Sequence, residues 1–383
     1  MLWKKAHDST ARDAWSLTLA TSLYRPLSVR PGNLAFSPWS ISVALAMLQA
    51  GADGKTRREI ETVLGHPGAG DALIDVFGGL VAELSGSARD DPKPIELSLA
   101  NALWCQGGYP LRPALAKVLL KRLGAEIREA DFTQGGAEAA RRVNDWVAEA
   151  TRQRIPAILS ESQLDPLTRV LLVNAFYFKA PWLFPFDEEL TRPEPFRLTD
   201  GTRIDVSMMH RLAHYRYARR GNAQALEMPY LAERFTMVIL LPDEGELESV
   251  QRELGPAEVA AVVTAMTSQE TLLSLPRFRI RSYGLSLRSP LEAIGVKTAF
   301  GSGADFSGIS SEPGFAPGDV VHGVFVDVDE RGTEAAAATL VGMVMGLPPK
   351  PIDFRVDRPF LFLLRDRPTG TILFMGRVVD PRQ

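Results

Sequence analysis

Five histidines and one cysteine bound the metal and nucleophile chemistry open to this 383-residue chain. His7, His66, His210, His214 and His322 form no HExxH pair or other metal-ligand spacing. A lone thiol, Cys105, cannot build a thiolate zinc site or an intrachain disulfide. It lies in the apolar run LANALWC and reads as a buried small hydrophobe. No GxSxG elbow presents a serine nucleophile. Gly54-Lys55-Thr56 imitates the tail of a phosphate-binding loop, but Gln49 stands where the first glycine must be. A dispersed Ser/His/Asp triad is recognised by geometry and not by spacing, so it stays open until side chains are placed. No cofactor, no metal and no enzymatic activity is expected.

The segment with the most unusual make-up is DERGTEAAAATLVGMVMGLPP, Asp329 to Pro349. By propensity its alanines favour a helix. Yet it follows VVHGVFVDVDE, Val320 to Glu330, which alternates as a strand. His322, Val324, Val326, Val328 and Glu330 fall on one face; Gly323, Phe325, Asp327 and Asp329 fall on the other. A strand running into such small side chains offers a core little to grip.

The elements around it predict a large α+β protein. Hydrophobic content of 45% supports a substantial core, and a net charge of -3 argues against nucleic acid as a partner. The basic cluster Arg211, His214, Arg216, Arg219, Arg220 reads as a solvated hairpin face or a polyanion site, the hairpin face being preferred. Helices are expected from Asp8 to about Tyr24, from Ser37-Pro38 (N-cap and first position) to Gly51, and over Thr56–Leu64 and Glu138–Thr151. Strands are expected over Ile95–Cys105 and Val170–Phe178, the second so evenly apolar that both its faces should be covered. From Phe196 onward strands dominate: FRL, RIDVSMM, HYRYAR, AQALEMPYL, RFTMVILLP and TLLSLPRFRIRSY. A short helix capped by Ser289 with Pro290 first, and a C-terminal hairpin around Arg367–Gly370, complete the pattern. No run of about 18 residues has the even hydrophobicity of a membrane span; the nearest, LAFSPWSISVALAMLQAGA, carries a proline and three serines. The N-terminus lacks the apolar stretch of about 7–15 residues of a secretory signal, so a cytoplasmic location is expected as written, and an extracellular one if a signal was trimmed.

Four stretches carry a family resemblance. NLAFSPWSISVALAMLQAGADGKTRREI, LLVNAFYFKAPWLFPF, DVDERGTEAAAAT and RPFLFLLRDRPTGTILFMGRVVDP occur in the order of the second helix, central strand, reactive-loop hinge and C-terminal hairpin of serpins. The chain resembles a serpin from about Asp13 to Pro381. The resemblance implies one domain over residues 1–383, α+β, with three β-sheets, eight or nine helices and an exposed reactive-centre loop at about residues 331–350.

It also implies a mechanism and its residues. A serine protease cuts the loop, whose N-terminal part enters the main sheet as a new strand while the protease remains esterified. Such a native state is metastable. The partner would be that protease, in a covalent acyl-enzyme complex, with neither nucleic acid nor membrane involved. The protein would be a monomer with a hazard of loop-sheet polymers. The hinge would be Glu330, Gly332, Thr333, Ala335, Ala337 and Thr339. Their small side chains suit a segment that lives exposed and later slides between strands. Ser37, Ser40, Asn174 and His322 match the shutter, where the sheet parts; plain capping and a satisfied core histidine are the alternative. Trp182, Arg277 and Glu330 match the breach, where insertion starts; an exposed pair of no energetic weight is the alternative. Family spacing from Glu330 puts the reactive bond at Gly346-Leu347, but glycine offers a specificity pocket nothing, and Met345 is the better bait. Met345 and Leu347 suit a chymotrypsin-like or elastase-like pocket. A non-inhibitory serpin acting as carrier or folding helper is the alternative function; such members tend to carry proline, charge or bulk in the hinge.

Overall fold

The computed structural model describes residues 9–89, 95–164, 168–312, 316–333 and 350–382. The expected reactive bond (Met345, Gly346, Leu347) and the hinge positions Ala335, Ala337 and Thr339 lie outside them, and Thr333 is described by its backbone alone.

The described elements are nine α-helices and two sheets, an α+β arrangement as expected. The six-stranded sheet has the order Phe278–Ser286, Asp319–Val328, Val170–Pro181, Glu96–Gln106, Glu126–Ala130, with the two-residue strand Gly332–Thr333 also on Val170–Pro181. The nine-stranded sheet runs Leu34–Phe36, Ile372–Val378, Phe360–Asp366, Phe235–Pro242, Ala223–Pro229, Arg203–Arg220, Thr267–Pro276, Ile352–Arg355, with Arg192–Arg197 also on Arg203–Arg220. That long strand pairs with Arg192–Arg197 along its first part and with Ala223–Pro229 along its last, so two of the three expected sheets are continuous through it.

Contacts cluster into two units: Met1–Leu27, Phe36–Tyr177 and Arg281–Phe325 in one; Ser28–Ala35, Phe178–Ile280 and Val326–Gln383 in the other. In the first, helix Gly136–Ala150 lays Ala139, Val143, Trp146 and Val147 at helical spacing onto Leu171, Val173, Ala175, Tyr177, Val321 and Phe325. Period-2 alternation then sends Asn101, Asn174 and His322 to the opposite sheet face. Helix Pro38–Gln49 lies there, buried at every residue, with Ser37 as its N-cap and Pro38 first, as the sequence predicts.

In the second unit the C-terminal strands Phe360–Asp366 and Ile372–Val378 pair as the predicted hairpin. Phe360 and Phe362 there meet the Phe278 ring at centroid distances of 5.5 and 5.7 Å. Arg216 and Arg219 of the basic cluster engage Glu227 at 2.8 Å and Asp243 at 2.5 Å.

Several boundaries differ from the sequence reading. RIDVSMM and HYRYAR are one strand, Arg203–Arg220, and TLLSLPRFRIRSY is two, broken at Arg277. The break follows Pro276, which has no ladder N–H to give, and the Arg277 N–H goes to Ser207 O instead. The short helix is Arg288–Ile294 with Leu287 at its N-cap, not Ser289. Its Arg288 N–H is taken by the Asp319 carboxylate from the neighbouring strand, a cap that local sequence cannot reveal. The strand expected to reach Glu330 stops at Val328. Asp329 and Gly332 exchange backbone hydrogen bonds and the chain reverses. Gly332 has φ 134°, and a Cβ there would sit 2.4 Å from Ala180 O, so only glycine fits this turn.

Candidate functional site

A buried polar chain bridges two neighbouring strands of the six-stranded sheet. Strands Val170–Pro181 and Asp319–Val328 pair in parallel from Leu171/Asp319 to Tyr177/Phe325, which puts His322 opposite Asn174. The Ser37 N–H donates to His322 Nε2 at 3.0 Å. That nitrogen therefore carries no proton, and His322 Nδ1–H donates to Asn174 Oδ1. Asn174 Oδ1 also accepts from the Ser40 hydroxyl. Asn174 Nδ2 donates to Ser40 O at 2.9 Å and to Asn101 Oδ1. Ser37, Ser40, Asn174 and His322 are fully buried. Burial pushes the imidazole pKa down to about 3, so His322 is neutral in this state. All four shutter residues read from the sequence thus meet. Ser37 caps the helix and also joins this chain: its hydroxyl accepts the Ser40 N–H while its own N–H donates to His322. Asn101 was missed; its only signal was a lone amide inside LANALWC.

A second cluster holds the turn at Asp329–Gly332. Arg277 Nε lies 2.7 and 2.8 Å from the two Glu330 oxygens, and its Nη2 is 2.6 Å from Oε1. The Glu330 side chain is 3% exposed and that of Arg277 47%, so this is a half-buried clamp and not the exposed pair of the alternative. Burial acts to raise the Glu330 pKa, but hydrogen bonds from Arg277 and Thr191 outweigh it, and the carboxyl sits below its ordinary value. Thr191 was not read from the sequence, and nothing local marks it. Trp182 Nε1 donates to Asp329 O at 3.1 Å, its ring stacks on Tyr230 at 4.3 Å, and its backbone N–H donates to Arg331 O at 3.0 Å. Arg331 in turn pairs with Glu188 at 2.7 Å. Gly332 and Thr333 then run antiparallel to the central strand, opposite Pro181 and Ala180.

One arrangement approaches the triad left open above. His210 Nδ1 is 3.0 Å from Ser274 Oγ, and Nε2 is 3.1 Å from Glu194 Oε1, the latter without hydrogen-bond alignment. Ser274 is only 2% exposed, and Arg192 and Arg355 occupy Glu194. It is a polar cluster within the nine-stranded sheet. Among the described residues no group of three or more His, Cys, Asp or Glu could hold a metal ion, and no helix is long and apolar enough to cross a membrane. Cys105 is buried, which pushes its thiol pKa up to about 12.

The fold thus carries a parallel strand pair bridged by a buried polar chain, and a turn held by an ion pair. The family described as Serpin (serine protease inhibitor) matches residues 16–381, and the chain belongs to the serpin family. It is 42% identical over 363 residues to an uncharacterized serpin-like protein of Thermococcus kodakarensis, covering 94% of this chain and 83% of that one. It is 35% identical over 376 residues to the leukocyte elastase inhibitor of Sus scrofa, covering 94% and 97%. Human thyroxine-binding globulin, complexed with thyroxine, superposes with a TM-score of 0.87 at 29% identity, covering 97% of this chain and 98% of that one.

Proposed function

We propose that the protein is a suicide inhibitor of a serine protease with an apolar specificity pocket, chymotrypsin-like or elastase-like. It acts by loop cleavage, strand insertion and trapping of the acyl-enzyme. One observation carries the reading: the chain leaving Asp319–Val328 reverses at Asp329–Gly332 and starts an antiparallel strand on Val170–Pro181, whose next residues are still paired with Asp319–Val328. Insertion continues a strand already begun. Each residue after Thr333 pairs one position earlier, so Thr339 arrives opposite Asn174, where His322 stands in the closed sheet. Its hydroxyl then replaces the imidazole as donor to Asn174 Oδ1. Ser37, Ser40, Asn174 and His322 act as shutter, and Trp182, Arg277 and Glu330 as breach. Glu330, Gly332, Thr333, Ala335, Ala337 and Thr339 form the hinge.

Met345, Gly346 and Leu347 supply the bait. The elastase in the name of the Sus scrofa relative agrees with a target whose pocket is apolar. The carrier alternative draws on the likeness to a thyroxine complex, but Thr333 and the four alanines from Ala335 to Ala338 bring no proline, charge or bulk to bar insertion. The test mixes the protein with chymotrypsin or elastase. An SDS-stable complex is expected, with the released C-terminal peptide starting between Val344 and Pro348. Cleavage only upstream of Leu340, or turnover with no complex, refutes the assignment.

A further inference from the structure

We propose that Asn101, on strand Glu96–Gln106, is a positioning residue of the shutter: it holds the Asn174 amide in the one orientation that His322 can use. The inference rests on the strand-insertion reading for its consequence, but its geometry and its test do not involve a protease.

The polarity of the chain is set at both ends. Ser37 N–H fixes His322 as an Nδ1 donor, so Asn174 must turn its oxygen toward the ring. Ser40 O, which can only accept, requires the Asn174 nitrogen on its own side. Asn101 Oδ1 accepts the second Nδ2–H. Asn174 thereby makes two donations and receives two, its full share. A flipped Asn174 would aim its oxygen at two acceptors, Ser40 O and Asn101 Oδ1, and its nitrogen at the His322 donor. With its oxygen turned to Asn174, Asn101 adds a second acceptor that opposes the flipped amide.

Asn101 does this at a loss elsewhere. It is 3% exposed among Ala100, Ala102, Leu103 and Trp104, and its Nδ2 is buried with no hydrogen-bond partner. A buried amide that satisfies only its oxygen is a poor stabiliser compared with an apolar side chain of the same size. What it does supply is the acceptor aimed at Asn174. The residue fits a role in orienting the lock, passed from Asn101 through Asn174 to His322 and so to the contact that must break when the strands part.

The two roles predict opposite results for Asn101→Leu, which keeps the branched side-chain shape and removes both the acceptor and the unmet donor. A merely structural asparagine, once replaced, would raise the thermal midpoint and slow sheet opening together. A positioning asparagine leaves the midpoint unlowered yet speeds opening. The readout is the rate of loop-sheet polymer formation on mild heating, in the parent, Asn101→Leu, His322→Ala and the double variant. We expect about fivefold faster opening in Asn101→Leu, equivalent to about 1 kcal/mol, and no further acceleration when His322 is already alanine. Opening at the parent's rate or slower, or the same acceleration with and without His322, overturns the proposal. Asn101→Ala carries the same cycle if the leucine variant does not fold. Protease trapping by the parent is measured separately, so failure of the insertion reading is not confused with failure of this one.

Discussion

Acid should weaken the lock on the sheet, and His322 should be the reason. In the closed state the imidazole is neutral, with its pKa lowered to about 3. Once the strands part and water reaches the ring, its pKa returns to about 6.5. The open state then binds more protons than the closed one at every pH between these values, so the closed state loses stability as pH falls through this window. From about pH 7 to about pH 5 the loss is about 2 kcal/mol for this one group. If the ring is fully hydrated when the barrier is crossed, opening accelerates by about 25-fold; if half hydrated, by about fivefold. The assay is polymer formation at a fixed mild temperature at the two pH values, followed by light scattering and native gels. The control is His322→Gln, which cannot titrate. It should open faster than the parent near neutrality, with its partner's bond lost, and show a much smaller acid acceleration. Carboxyls also titrate toward acid, Asp329 above its ordinary value because of burial and the neighbouring Asp327 and Glu330. Their share survives in the variant and can be subtracted. An equal acid acceleration in parent and His322→Gln would show that His322 does not sit on the opening coordinate.

Three further outcomes are expected. Arg277→Met leaves Glu330 buried without its cation and should cost about 1–3 kcal/mol, read as a lower thermal midpoint, with the loss much reduced in Arg277→Met combined with Glu330→Gln; equal losses would mean that the clamp contributes nothing. On the proposed function, Thr333→Arg should make the protein a substrate, cut at the parent's bond but releasing active protease, because each ~1.36 kcal/mol added to the insertion barrier slows insertion tenfold while hydrolysis of the ester proceeds; trapping at the parent's stoichiometry would place the start of insertion elsewhere. Gly332→Ala should destabilise the turn, since a Cβ would lie 2.4 Å from Ala180 O, and a thermal midpoint equal to the parent's would contradict that contact.

The sequence alone determined the elements whose signals are local. The alternation in Val320–Val328 and the evenly apolar Val170–Phe178 marked the central strands, and Ser37-Pro38 marked a buried helix start, because periodicity and capping act within a few residues. Family motifs named His322, Asn174, Arg277 and Glu330. Tertiary structure decided what those residues do to one another. His322 could have been core filler until Ser37 N–H on one side and Asn174 on the other fixed its proton. Glu330 could have been a solvent-exposed charge until burial to 3% and the Arg277 fork made it a clamp. Asn101, Thr191 and the Asp319 cap on Arg288 N–H were invisible beforehand because each partner lies tens of residues or more away in sequence. The turn at Gly332 belongs to the same class: the glycine is plain in the sequence, but the need for it comes from Ala180 O, which the pairing of distant strands brings against it.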